Sequence, residues 1–235
     1  MRPTGNCSPA FTERETAFRL SIVPFAPLPA AGGPPTQLIM LLHGVGADGR
    51  DLIEIAPHLG QVFPNAAFVA PNAPNRYDQG LSGYQWISSD IRVEAEVITA
   101  VQESAAILNA FIDKELQDLG IGPDKLALVG FSQGTMMSLY TVPRRAQPIA
   151  GVLGYSGRLV GGDQLASETV SRTPIFLAHG EMDPVVPVES MDVAEKILSE
   201  SGFSVQTLRC PNLGHSIDED GLVQGTQFLR TAFGV

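Results

Sequence analysis

Ser132 stands in Gly130-Phe131-Ser132-Gln133-Gly134, directly after the apolar run Leu126-Ala127-Leu128-Val129. A helical pattern with Met136, Met137, Leu139 and Tyr140 follows it. Strand, serine and helix in that order make a turn so sharp that the serine must adopt a strained backbone conformation. Glycines two residues to either side remove the side chains that would clash there. The turn presents Oγ at a helix N-terminus, where backbone N–H groups can meet a developing negative charge, so Ser132 is the candidate nucleophile. The bare G-x-S-x-G spacing is weak, since a plain strand–helix turn with an incidental serine has the same letters. The strand before it and the helix after it supply the specificity.

A serine hydroxyl needs a base, and the chain has four histidines. His58 lies inside a predicted helix. His43 opens a glycine loop, which its imidazole is suited to fix. His179 immediately follows a buried strand and reads as structural. His215, in Asn212-Leu213-Gly214-His215-Ser216, sits in a late loop before the last helix, from which a ring can reach across to Ser132. His215 is the assigned base. The base needs an orienting carboxylate, and Asp183, on a short turn after a strand and before Pro184, takes that role. Glu181 and Asp218 are its rivals, and an aspartate before proline can also be an ordinary turn cap.

An oxyanion site needs two preorganised donors. The backbone N–H of Gln133 is one, and the glycine loop His43-Gly44-Val45-Gly46-Ala47-Asp48-Gly49 offers the N–H of Val45 as the other. Tyr84 and Trp86, in an aromatic stretch between a strand and a long helix, and Arg158, after a later strand, are the candidate substrate contacts. A buried tryptophan and a structural salt bridge are the plainer readings of Trp86 and Arg158. The spacing Gly44-x-Gly46-x-x-Gly49 matches a dinucleotide fingerprint, but Phe68-Val69-Ala70-Pro71 stands where its acidic residue belongs. There is no paired-histidine metal spacing, C-x-x-C or phosphate-binding loop, so no cofactor or metal is expected.

These side chains have to be brought together by the elements around them. Apolar runs at 37–42, 67–70, 126–129, 149–153 and 174–178 have the continuous character of strands covered on both faces. Residues 16–23 read as a first strand and 203–208 as an alternating edge strand. Between them, 51–59, 93–119, 188–201 and 218–233 read as helices. The longest has apolar residues from Val97 to Leu116 at spacings of three and four. The stretches 24–35, 72–90 and 159–173 read as irregular connections. The alternation indicates an α/β fold with a mainly parallel sheet and helices on both faces. In such a sheet ligands bind beyond the C-terminal strand ends, where the loops after residues 42, 130, 178 and 208 converge. Residues 1–15 are expected to be a loose arm and 16–235 a single domain.

Bulk properties fit this picture. The chain has 235 residues, 44% of them hydrophobic and 17% charged, enough for a large core and too apolar for disorder. A formal net charge of -10 disfavours nucleic acid and anionic membrane surfaces as partners. No run of 18 apolar residues suggests a membrane span, and the start lacks a secretory core. Cys7 and Cys210 read as free thiols in a reducing compartment, so the expected location is cytoplasmic.

With these residues in place, the chain resembles the phospholipase/carboxylesterase family of α/β-hydrolases, to which the acyl-protein thioesterases belong. The matching segments are Leu42-His43-Gly44-Val45-Gly46-Ala47-Asp48-Gly49, Gly130-Phe131-Ser132-Gln133-Gly134, His179-Gly180-Glu181-Met182-Asp183-Pro184-Val185-Val186-Pro187 and Gly214-His215. The order Ser132, Asp183, His215 is that of α/β-hydrolases. The resemblance implies an α/β-hydrolase fold without a large cap domain. It also implies a cofactor-free enzyme for small acyl esters, a Ser132–Asp183–His215 triad, the Val45 and Gln133 amides as oxyanion donors, and a homodimer. Tyr84-Gln85-Trp86-Ile87-Ser88 looks more like bacterial carboxylesterases than eukaryotic thioesterases. The leading expectation is a serine carboxylesterase working through an acyl-enzyme. Acyl-protein thioesterase and lysophospholipase activities are the alternatives, and a non-catalytic hydrolase-fold binding protein is the third.

Overall fold

The computed structural model describes residues 22–25 and 34–235. The expected arm at 1–15, Cys7 and the first part of the strand at 16–23 lie outside them. In chain order the elements are β1 (Ile22–Phe25), β2 (Gln37–Leu42), α1 (Gly49–Leu52), α2 (Ala56–Val62), β3 (Ala66–Pro71), β4 (Asn75–Arg76), β5 (Tyr84–Gln85), α3 (Glu94–Leu119), β6 (Leu126–Phe131), α4 (Gln133–Thr141), β7 (Gly151–Tyr155), α5 (Gly162–Glu168), β8 (Ile175–Gly180), α6 (Glu189–Glu200), β9 (Val205–Cys210) and α7 (Glu219–Phe233).

Seven strands form one sheet in the order β1-β3-β2-β6-β7-β8-β9. All neighbours are parallel except β1, which runs antiparallel to β3 at the edge. Pro24 falls within this edge strand, the kind of strand to which proline is confined in a sheet. The apolar runs alternate between two cores, as a strand covered on both faces must. Leu38, Met40 and Leu42 of β2 join a cluster with α3, α4 and α6, whereas Ile39 and Leu41 join one with α1, α2 and α7. This is the α/β-hydrolase architecture.

The long helix α3 buries Val97, Val101, Ser104, Ala105, Leu108, Phe111, Ile112 and Leu116 on one stripe. It ends at Gly120, whose φ of 67° is the left-handed conformation that stops a helix without a Cβ clash. Among the described residues α3 alone is long and apolar enough to cross a membrane by length and composition; its apolar stripe packs into the first core. Two connections hold more structure than expected. The stretch 72–90 contains the antiparallel β4–β5 hairpin, and 159–173 contains α5. The helix expected at 51–59 is two short helices joined by a 3₁₀ turn, with Pro57 opening the second. Strands β7, β8 and β9 each run two residues further than the apolar runs suggest, ending at Tyr155, Gly180 and Cys210.

Thr135, in the first turn of α4, ties this helix to the sheet. Its Oγ1 lies 2.8 Å from the carbonyls of both Gly130 and Tyr155 and accepts the Tyr155 N–H at 3.0 Å. Valine has the same shape but no hydroxyl, so the buried bond to these carbonyls is lost. Thr135→Val should therefore lower unfolding free energy by about 1–2 kcal/mol, read by urea denaturation; a loss below about 0.5 kcal/mol would contradict this account.

Candidate active site

Ser132 lies between β6 and α4 with φ 53° and ψ −114°, a strained conformation for a residue other than glycine. The turn is tight because α4 packs directly on β2. A Cβ on Gly134 would sit 1.8 Å from the Leu42 carbonyl oxygen, and one on Gly130 would sit 2.5 Å from the Thr135 nitrogen. Only glycine fits at either position. The Ser132 N–H donates to the Tyr155 carbonyl at 2.9 Å, and the residue is 6% exposed.

Asp183 and His215 meet. His215 Nδ1 is 2.7 Å from Asp183 Oδ2. A carboxylate only accepts, so Nδ1 carries the hydrogen and Nε2 is left free to take one. The other oxygen, Asp183 Oδ1, accepts the N–H groups of Val185 at 2.8 Å and Val186 at 2.9 Å. Burial alone would raise the Asp183 pKa. Hydrogen bonds from His215, Val186 and Val185 to the ionised form outweigh burial and hold it below the ordinary carboxylate range. The two loops that carry the pair interlock. Glu181 N–H donates to the Cys210 carbonyl and Met182 N–H to that of Leu213. A Cβ on Gly180 would come within 2.3 Å of the Leu213 oxygen.

The pair reaches the elbow through Phe131, whose ring centroid lies 4.8 Å from that of His215. Ser132 Oγ makes no hydrogen bond among the described residues, so no bond joins it to His215 here. The glycine loop abuts the elbow on its other side. A Cβ on Gly44 would sit 3.3 Å from the Ser132 Cβ. The N–H of Gly46 donates to Tyr84, and that of Ala47 to Gly44. The N–H groups of Val45 and Gln133 donate to nothing among the described residues.

The scaffold around this loop is polar and buried. His43 Nε2 accepts the Ala73 N–H at 2.9 Å, so its Nδ1 carries the hydrogen and donates to the Gly44 carbonyl at 2.7 Å. Burial lowers the His43 pKa and keeps the ring neutral. The Gln133 side chain accepts from the Trp86 N–H at 3.0 Å and donates to the Ile87 carbonyl at 2.9 Å. That bridge between α4 and the aromatic stretch has no local sequence signal, because its two ends are 46 residues apart.

The three candidate substrate contacts fare differently. Trp86 must be corrected: it is 0% exposed, and its indole N–H donates to the His43 carbonyl at 3.0 Å, so it is scaffold and not a substrate wall. Tyr84 is half-buried, with the Arg76 guanidinium 4.4 Å above its ring, and its backbone holds Gly46 and Ala47. Arg158 pairs through both terminal nitrogens with Glu94 at 3.0 Å, which is the structural salt bridge. It also lines a cavity of about 280 Å³ with Leu159, Glu189, Ser190 and Val193. Cys210 is a buried free thiol, pushed up to about 12 by burial and by Asp218.

A family model described as Phospholipase/Carboxylesterase matches residues 28–233. Acyl-protein thioesterase 1 of Aspergillus fumigatus is 32% identical over 215 residues, 83% of this chain and 87% of that protein. The esterase YpfH of Escherichia coli is 30% identical over 200 residues, 84% of this chain and 83% of that one. Among solved structures, esterase PE8 superposes with a TM-score of 0.83 at 34% identity, covering 91% of this chain and 98% of that one.

The depressed Asp183 pKa makes a linkage prediction. An ionised form favoured by folding contributes stability that is present above the unfolded value of about 3.9 and is lost as pH falls through the lower folded value. Asp183→Asn lacks that contribution. The stability gap between the wild type and this variant, measured by urea unfolding from about pH 6 to about pH 3, should narrow as pH drops below about 4. A gap constant across that range would refute the assignment.

Proposed function

The chain belongs to the phospholipase/carboxylesterase family and is a carboxylic ester hydrolase for acyl esters, and from that premise we propose that it works through a Ser132–His215–Asp183 triad and an acyl-enzyme. The observation that carries this reading is the 2.7 Å bond from His215 Nδ1 to Asp183, beside a serine in the strained turn. His215 Nε2 takes the proton of Ser132 Oγ as that oxygen attacks the acyl carbonyl. Asp183 holds the imidazole in the tautomer the step needs and stabilises its cation. The oxyanion of the tetrahedral intermediate is received by the N–H groups of Val45 and Gln133, whose freedom from other bonds supports this role. Collapse expels the alcohol, protonated by His215. Water, deprotonated at the same Nε2, then attacks the acyl-enzyme, and the acid and free Ser132 result. The absence of an Oγ–Nε2 bond is compatible with a site that tightens only around substrate.

Thioester cleavage is the second reading, favoured by relatives named acyl-protein thioesterases. The same residues would serve it with a thiol as leaving group. In either case the formal charge of -10 supports small acyl substrates over nucleic acid.

Ser132→Ala should lower kcat on a short p-nitrophenyl ester by about four to six orders of magnitude, and it should abolish covalent labelling by a fluorophosphonate. Undiminished turnover or labelling by the pure variant would reject the mechanism. A panel of matched oxygen and sulfur esters at several acyl lengths distinguishes esterase from thioesterase by kcat/KM.

A further inference from the structure

Two imidazoles reach the same carboxylate oxygen. Asp183 Oδ2 lies 2.7 Å from His215 Nδ1 and 3.3 Å from His179 Nε2. The mechanism above makes no use of His179. Its side chain is 1% exposed, too enclosed to exchange a proton with a substrate.

The hydrogen bonds fix its tautomer. His179 Nε2 is 2.8 Å from the Val186 carbonyl oxygen, which can only accept, so Nε2 carries the hydrogen. That hydrogen is directed at the Val186 carbonyl, and Asp183 Oδ2 lies 3.3 Å from the same nitrogen without a hydrogen bond to it. Val186 is therefore gripped twice, its carbonyl by His179 and its N–H by Asp183 Oδ1. With the Val185 N–H and His215, three N–H groups converge on one carboxylate whose side chain is wholly buried, and His179 holds the peptide that supplies one of them.

The anchor of this ring is not in the loop. His179 belongs to β8, paired in register with Arg209 of β9, so the sheet sets its place whatever the 181–187 turn does. Asp183 sits in that turn and owes its orientation to what it bonds. Without His179 the Val186 peptide loses the anchor on its carbonyl, and the N–H that it gives to Asp183 Oδ1 is freer to shift, so the carboxylate can turn with the imidazole it is meant to hold.

We propose that His179 is a positioning residue for the hydrolysis: a second imidazole that acts through the Val186 peptide on Asp183, holding the carboxylate in the line His215 requires. This inference rests on the triad reading. Its effect belongs to the chemical step, because orientation of the base matters when the proton moves and not when the ester binds. A merely structural histidine would lower stability when lost, with no effect on kcat that depends on Asp183.

The test is a double-mutant cycle on the full chain, with kcat and KM read on a short p-nitrophenyl ester. His179→Leu should lower kcat by about 10- to 100-fold with KM changed by less than about 2-fold. His179→Gln, whose amide N–H can stand near the Nε2 position, should recover most of that loss. In the Asp183→Asn background, itself down by about 10⁴-fold, adding His179→Leu should change kcat by less than about 3-fold. If His179→Leu does not fold, His179→Asn, which is polar but too short to present the donor, completes the same cycle. An equal loss in both backgrounds, no loss in a folded variant, or Gln no better than Leu would overturn the inference. Asp183→Asn alone separates the two levels: wild-type kcat there would sink the triad reading, whereas a crippled Asp183→Asn beside an unaffected His179 variant sinks only this one.

Discussion

The backbone at residue 132 is the constraint to which the rest of the structure answers. A non-glycine residue at φ 53° and ψ −114° is unfavourable by an amount on the order of 1–3 kcal/mol, so it persists only where its surroundings over-determine it. They do so from three sides. Below it, Gly134 presses on the carbonyl of Leu42, and no side chain can intervene. Beside it, its own N–H is bound to Tyr155, and Thr135 bonds across to the same carbonyl. Ahead of it, α4 is buried along its whole length, so the helix cannot swing away to relax the turn. The strain is held by the centre of the sheet, where packing is deepest.

The glycine loop at 43–49 depends on a second arrangement, built from buried polar groups. His43, Trp86 and Gln133 are all nearly inaccessible, and each spends its hydrogen-bonding groups on backbone. Such groups are unfavourable to bury unless satisfied, and once satisfied they admit few alternative geometries. His43 is kept neutral by burial, and its tautomer is dictated by a backbone donor that cannot accept. Gln133 contributes twice to the candidate site, with its amide free beside Ser132 and its side chain clamping the strand that holds Gly46. A single residue thereby ties α4 to the loop that carries Val45.

Much of this was legible in the sequence because its signals are local. Gly130, Ser132 and Gly134 mark their turn within five residues, and the apolar run of β2 declares both its faces by continuity alone. The order of Ser132, Asp183 and His215 falls on three strand ends of a parallel sheet, which topology brings to one edge. His43 as a loop-fixing residue and Arg158 as a salt-bridged one also follow from position. What the sequence hid is long-range pairing. Nothing near Trp86 distinguishes a ring lining a substrate space from one whose N–H is claimed by a carbonyl 43 residues away. The two-residue strands β4 and β5 are too short to have a period, and α5 is a single short helix in a polar stretch. The extra residues of β7, β8 and β9 include Gly154, His179, Gly180 and Arg209, which carry no strand propensity and are recruited by their neighbours' ladders.

Asp183 and His215, the proposed acid and base, are less deeply set in the sheet than Ser132. β9 is an edge strand with one partner, β8, so the loop bearing His215 inherits its place from the end of β8. The closures that secure it are backbone contacts: the Gly180 Cα against the Leu213 and Gly214 carbonyls, Glu181 N–H to Cys210, and Met182 N–H to Leu213. The loop bearing Asp183 is braced by the same contacts, so the 2.7 Å Asp183–His215 bond is built within one pair of interlocked loops, and the pair meets the turn of Ser132 through the Phe131 ring.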